Sequence, residues 1–424
     1  MKRVNFIIEK RCIDGLEFGS NKTLSFFKLM APEVFEPTTG KHDYNHATKT
    51  SNINHNDNFK LPFKPVITLS DGFHERDIMP RCKNVFVVYM VLNYIKATNF
   101  DLLYELQEKY SNVILYADYS NESLFPGNFK QENCLKLNFD PSKFICSMLS
   151  LHNGYEINSP KFMKLFPNWK FASGAYYEIV SQHTNKYLPT TLPSRTWEGK
   201  QTLHKFFCPN RLGRQNRLDL IVELHKRGVL KQCEWTMMIP DASRHLPKTN
   251  GTQFGSNITY NTDHEYFRLF GTTPRQIHQT LFEKEWSDPD SRYNQGGPHE
   301  SIPETILDRT SAMIISDTYN DDSLICDVSE KIMKPIMFGM PVFYNGRKGA
   351  IDKLREHGFW FPGDYNHIDY YKERTSAMID ACEDFEDVIT KETAEHVLEN
   401  KRLITDRHTH WNLSKNLFEF ILDF

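Results

Sequence analysis

The sequence predicts an α/β protein of two lobes, two Rossmann-like domains facing a cleft. Three observations lead there. Short apolar runs of strand character alternate with stretches of helical spacing, the order that builds a mostly parallel sheet. At 424 residues the chain has the length of two ordinary domains. Leu188 to Gly199, with Pro189, Pro193 and Gly199, reads as a linker between them.

In the first half, strands are expected at Val4–Glu9, Pro65–Ser70, Val85–Tyr89, Val113–Ala117 and Phe144–Leu149. Asp101–Tyr110 has helical spacing, with Leu102, Leu103, Leu106 and Tyr110 on one side. Thr38 to Lys60 is rich in Asn, His, Thr and Asp without periodicity and reads as a long surface loop. In the second half, Phe206–Cys208 reads as a strand and Arg217–Arg227 as a helix. Leu218, Ile221 and Leu224 turn inward on that helix, and Gly228 ends it. Glu234–Ile239 is the next strand. Asp241 to Pro303 reads as irregular, with one helical piece near Pro274–Phe282. Ala312–Ser316 and Met340–Tyr344 are strands flanking a short helix that opens at Ser329-Glu330-Lys331. Asp369–Ala381 and Glu392–Leu403 are helices. Trp411 to Phe424 places Leu413, Leu417, Phe420 and Ile421 on one face, which should dock back on the first lobe. The expected division is residues 1–190, 200–400 and a returning segment 401–424.

Composition narrows the function classes. Hydrophobic residues make 39% and charged residues 25%, the balance of a globular chain. A formal net charge of −3 supplies no global basic field for nucleic acid. No apolar run reaches the ~20 residues a membrane span needs. The apolar part of the N-terminus is too short for a signal peptide and reads as a first strand, so a cytoplasmic location is expected, that of a host cell if the chain is viral. None of the eight cysteines forms a Cys-x-x-Cys pair, which favours free thiols. His408-Thr409-His410 lacks a third ligand, and Asp288-Pro289-Asp290 lies in a Pro/Gly loop. No metal site and no cofactor are expected.

The most informative stretch is Ser329-Glu330-Lys331, after the strand ending at Ser316 and the acidic loop Asp317 to Asp322. A helix N-terminus gathers backbone N–H groups and partial positive charge, which suits phosphate. Lys331 adds a full charge, and Glu330 can accept two hydrogen bonds from a ribose diol. Asp327 and Glu330 also fit a capping box. Pro335 falls within the helix and frees the Lys331 carbonyl.

The run Ser316-Asp317-Thr318, Val328-Ser329-Glu330-Lys331, Gly339-Met340-Pro341-Val342 and Gly346 resembles the donor-binding motif of the alpha-(1,3)-fucosyltransferases. Phe206-Phe207-Cys208-Pro209-Asn210-Arg211 with Arg214 and Arg217 is similar to a second segment of that family. Leu354 to Phe359 resembles glycosyltransferase-like proteins of phages and large viruses. The likeness spans roughly Phe206 to Arg374. Asp317, Thr318 and Ser329 depart from the family pattern, so the sugar and the base are not carried over. The resemblance implies the GT-B fold. It implies a hexosyl- or deoxyhexosyltransferase, inverting, that uses a nucleotide diphosphate sugar as donor, with the acceptor on residues 1–190 and the donor on residues 200–400. It leaves the acceptor open, with a glycan or a hydroxymethylated DNA base as the candidates.

Such a transfer must stabilise a departing diphosphate and deprotonate an acceptor hydroxyl. Arg211, Arg214, Arg217, Lys331 and Lys334 supply cations enough for a metal-independent leaving group. Asn210, Asp317, Ser329, Glu330 and Tyr319 complete the donor candidates, Tyr319 as a stacking surface for the base. For the catalytic base, Asp118 just past a strand and Glu122 four residues on are the candidates. Asp71, His74, Glu75 and Asp77 form a second group. The other reading is a non-catalytic nucleotide- or sugar-binding module that has lost its base. The sequence leaves the oligomeric state open.

Overall fold

The computed structural model describes residues 1–9, 63–90, 100–119, 143–148, 170–173, 202–210, 213–237, 263–271, 306, 309–317, 330–386, 389–405 and 421–422. The chain divides into two compact units. One is Met1–Lys186 with Leu324–Asp327 and Thr405–Phe424; the other is Tyr187–Ser323 with Val328–Ile404. Among the described residues each holds one sheet whose strands pair in parallel, so the protein is α/β.

The first sheet has six strands: β1 Arg3–Glu9, β2 Lys64–Ser70, β3 Asn84–Met90, β4 Val113–Tyr119, β5 Phe144–Met148 and β6 Lys170–Ser173. Their order across the sheet is β2-β1-β3-β4-β5-β6. Val4 to Glu9 are all buried, the continuous pattern of a parallel strand covered on both faces. Phe6 stacks on Phe86 of β3 at 5.3 Å between centroids. Helix α1, Phe100–Lys109, leads into β4 through Asn112, whose side chain donates to the Cys82 carbonyl at 2.9 Å. Asn84, at the start of β3, donates to the carbonyl of Ile421 at 2.8 Å and ties the last described residues to this sheet.

The second sheet has four strands: β7 His204–Cys208, β8 Cys233–Trp235, β9 Thr310–Ser316 and β10 Val342–Asn345, in the order β10-β9-β7-β8. Around it lie α2 Gln215–Lys226, α3 Glu265–Phe270, α4 Glu330–Met337, α5 Ala350–Glu356, α6 Tyr371–Asp384 and α7 Lys391–Thr405. Leu218, Ile221 and Leu224 are buried, the inward face that the spacing predicts for α2. Arg227, its C-cap, donates to Asp380 at 2.5 Å and to Glu383 at 3.0 Å on α6. α4 buries Ile332, Met333, Ile336 and Met337 despite Pro335. It closes where the Gly339 N–H bonds the Ile336 carbonyl and the Met340 N–H bonds that of Pro335. Gly339 carries the positive φ of 64° that this ending requires.

Several expectations need correction. Asp118 does not follow its strand; β4 runs on to Tyr119, and Asp118 sits within it, opposite Met90 and Ser147. The stretch read as irregular contains α3. His264 caps that helix by accepting from the Tyr266 N–H at 3.1 Å, and Gly271 ends it with φ 70°. Strand β6 has four residues, too few for a recognisable period. Helix α5 begins after Gly349, a residue without a side-chain cap. Asn366 serves in its place across the loop. Its amide oxygen accepts from the Ile351 N–H at 2.8 Å and its amide nitrogen donates to the Arg347 carbonyl at 2.9 Å. Asn366 is fully buried, so Asn366→Ala should cost on the order of 2 kcal/mol in urea unfolding. A loss under about 0.5 kcal/mol would mean the helix start finds another partner.

Candidate functional site

The two sheets share one feature of topology. In each, the strand that comes first in sequence lies between the second and the third: β2-β1-β3 in one, β8-β7-β9 in the other. In open α/β sheets the connections diverge at such a point and leave a crevice beyond the carboxyl ends of the strands. Ligands of open α/β sheets bind at such a switch point. In the second sheet it lies between the ends of β7 and β9, at Cys208 and Ser316.

The residues at that edge are bound to one another. Asp317, just past β9, is buried; its backbone N–H bonds the Asn345 carbonyl at 3.0 Å. Its Oδ2 accepts from the Tyr344 hydroxyl at 2.6 Å, and its Oδ1 lies 3.7 Å from Nζ of Lys331 in the first turn of α4. Asn216, in the first turn of α2, donates to the Asp317 carbonyl at 3.1 Å, which fastens the start of α2 to the end of β9. Arg217 follows it, only 4% exposed. Arg214 is the N-cap of α2; it makes no side-chain cap, and the first turn holds no acidic residue. On the β7 side, the Asn210 N–H bonds Oγ1 of Thr236 at 3.0 Å. The Asn210 amide nitrogen lies 3.4 Å from the Cys208 sulfur, and its amide oxygen is buried without a partner among the described residues. Buried acceptors normally find a donor, so this oxygen suits a hydroxyl or N–H of a ligand.

Burial dominates the thiols. It pushes Cys208 up to about 12, against a small opposing pull from the Asn210 amide and the Arg217 charge. Cys233 and Cys382 are raised well above the ordinary range by the same cause. Cys82, Cys208, Cys233 and Cys382 are free and buried, and protonated thiols of this kind are inert. Among the described residues no three of His, Cys, Asp and Glu are grouped to hold a metal ion. No described helix is long and apolar enough to cross a membrane.

The structure thus places Asn210, Arg214, Arg217, Asp317 and Lys331 at one sheet edge. Lys334 lies one turn further along α4, half-buried. Glu330 is the first residue of α4. Arg211, Tyr319, Ser329 and Glu122 lie outside the described residues, as do the Asp288 and His408 motifs and the helical piece near Pro274. The second acidic group is structural in part. Asp77 accepts from Ser70 Oγ at 2.6 Å and from the His74 N–H at 2.9 Å; exposed Glu75 pairs with Lys109 and accepts from the Tyr110 hydroxyl at 2.9 Å, and these partners hold its carboxyl below the usual range. Sequence reasoning missed Asn216 and Tyr344. An asparagine two positions past the N-cap, and a tyrosine in a buried strand before a glycine, were the available signals.

Neither the models of known protein families nor the curated proteins include a match to this chain.

Proposed function

We propose that the protein is a glycosyltransferase of the GT-B type. It moves a sugar from a nucleotide diphosphate sugar to an acceptor hydroxyl, with inversion. The donor binds at the carboxyl edge of the second sheet. The observation that carries this reading is Lys331, at the N-terminus of α4, held against buried Asp317 at the switch point. A lysine on a helix start where a parallel sheet opens is a place for a diphosphate. The anchored carboxylate keeps the ammonium directed at that edge.

The chemistry assigns each group a task. The acceptor oxygen bonds to the anomeric carbon as the bond from that carbon to the diphosphate oxygen breaks. The electron pair leaves with the diphosphate. Lys331 meets the new charge, with Arg214 and Arg217 beside the start of α2. Fixed cations in a partly buried site stabilise such a charge far better than water does. Glu330 takes the ribose, and the Asn210 amide oxygen accepts from the ribose or the base. The acceptor is a glycan or a hydroxymethylated base.

Thermal-shift measurements with UDP, GDP, CMP and their sugars test the reading. A true ligand at ~100 times its dissociation constant adds about 2.7 kcal/mol to stability. If no nucleotide or nucleotide sugar stabilises the protein at millimolar concentration, the reading is wrong. Because the leaving group is met by Lys and Arg, transfer should also continue in EDTA. Loss of activity in chelator, restored by Mn²⁺ or Mg²⁺, would show instead that a metal carries the diphosphate.

A further inference from the structure

The carboxyl edge of the second sheet carries a buried polar row. Asn345 closes β10 and lies opposite Ser316, the last residue of β9. The register of Phe207 with Met313 brings Asn210, just past β7, level with Ser316 as well. Asn210 is 1% exposed, and Ser316 and Asn345 are 2% exposed. Asn345 is fixed at two points. Its backbone carbonyl accepts from the Asp317 N–H at 3.0 Å, and its amide oxygen accepts from Thr375 Oγ1 of α6 at 2.9 Å. Its amide nitrogen is buried without a partner among the described residues. A buried donor left unmet is costly, and an aliphatic residue would close the strand without that cost. Turning the amide over only exchanges its ends: the nitrogen then faces Thr375 and the oxygen is left over.

The row runs in the order of a nucleotide sugar. Asn210, at the end of β7, is the nucleoside side. Asp317 and Lys331, at the end of β9, are the diphosphate side. β10 flanks β9 on the side away from β7, one strand spacing of about 4.8 Å further on. A ring joined to the diphosphate falls there.

We propose that Asn345 reads the transferred sugar, its amide N–H donating to a hydroxyl of the hexosyl ring. This rests on the transfer reading above. A hydroxyl both donates and accepts, so it meets the amide in either orientation. Asn345 selects among sugars; no bond forms or breaks at it.

The test uses the full chain, with UDP, GDP and their hexose and deoxyhexose derivatives, and dissociation constants from calorimetric titration. Asn345→Leu keeps the size and removes the amide, and the Thr375 hydroxyl keeps the Tyr371 carbonyl as an acceptor at 2.9 Å. The variant should bind the best nucleotide sugar about tenfold more weakly. It should bind the matching nucleoside diphosphate as the wild type does, and its ranking of the sugars should flatten. A purely structural role would lower both affinities together and keep the ranking, and that result overturns the proposal. Wild-type affinity for the nucleotide sugar also overturns it and leaves the donor reading standing. A wild-type protein that binds no nucleotide overturns both. If Asn345→Leu does not fold, Asn345→Ser is measured. Its short side chain should still weaken the nucleotide sugar relative to the diphosphate by at least about threefold, and an unchanged ratio overturns the proposal. If neither variant folds, Asn345 is a structural residue and the proposal fails.

Discussion

Lys331→Ala should transfer sugar about a hundredfold more slowly than the wild type, a loss on the order of 3 kcal/mol in transition-state stabilisation. The lysine stands at the start of α4, where the helix contributes its own partial positive charge, and in the proposed transfer both would act on the same diphosphate. Its ammonium is 3.7 Å from Asp317, too long for a strong hydrogen bond, with the side chain 29% exposed. That is the geometry of a partly exposed charge directed by its neighbour. The loss should fall mainly on turnover, because charge on the diphosphate grows as the sugar departs. Folding should change little, since a partly exposed ion pair contributes about 1 kcal/mol or less. Lys331→Arg should recover only part of the rate, because a planar guanidinium cannot occupy the same point. Steady-state rates with saturating donor decide the matter. A normal rate in Lys331→Ala removes the residue from the site.

How much of this was legible in the sequence depends on the length of the signal. Strands of seven residues rich in apolar side chains, such as β1 and β9, were readable to within two residues at each end. Helix α2 was readable from three leucine-type positions and the glycine after it. Strand β6 and helix α3, of four and six residues, were not, because α3 falls short of two helical turns and β6 is too short for its alternation to stand out. The donor candidates were visible as residue types after strands, and Lys331 and Asp317 do meet. Their meeting depends on Tyr344, 27 residues beyond Asp317, and no local pattern announces a contact of that separation.

Gly346→Ala should be the most damaging single-atom change in the second unit, with a loss on the order of 3 kcal/mol in unfolding free energy. A Cβ at this position would lie 2.1 Å from Cζ of Tyr344 and 2.3 Å from its hydroxyl oxygen. Such an overlap is harmless when the neighbour can swing aside, and Tyr344 cannot. Its ring is fully buried, its hydroxyl donates to Asp317 at 2.6 Å, and its backbone N–H bonds the Tyr365 hydroxyl at 2.9 Å. Nor can the backbone at Gly346 retreat freely, because its carbonyl accepts from Nε of buried Arg374 at 3.3 Å. The ring therefore gives up its bond to Asp317, and a buried carboxylate loses the partner that holds it toward Lys331. Stability and donor binding should fall together in Gly346→Ala, where Lys331→Ala separates them. Removing the obstacle should reverse part of the loss: with Tyr344→Ala as background, the added cost of Gly346→Ala should drop below about 1 kcal/mol, the non-additivity expected of residues in contact. Urea midpoints of the four proteins give that comparison. A Gly346→Ala chain within 0.5 kcal/mol of wild type would mean that Tyr344 has room to move, and that Asp317 is held in place by Asn216 and the backbone bond to Asn345 instead.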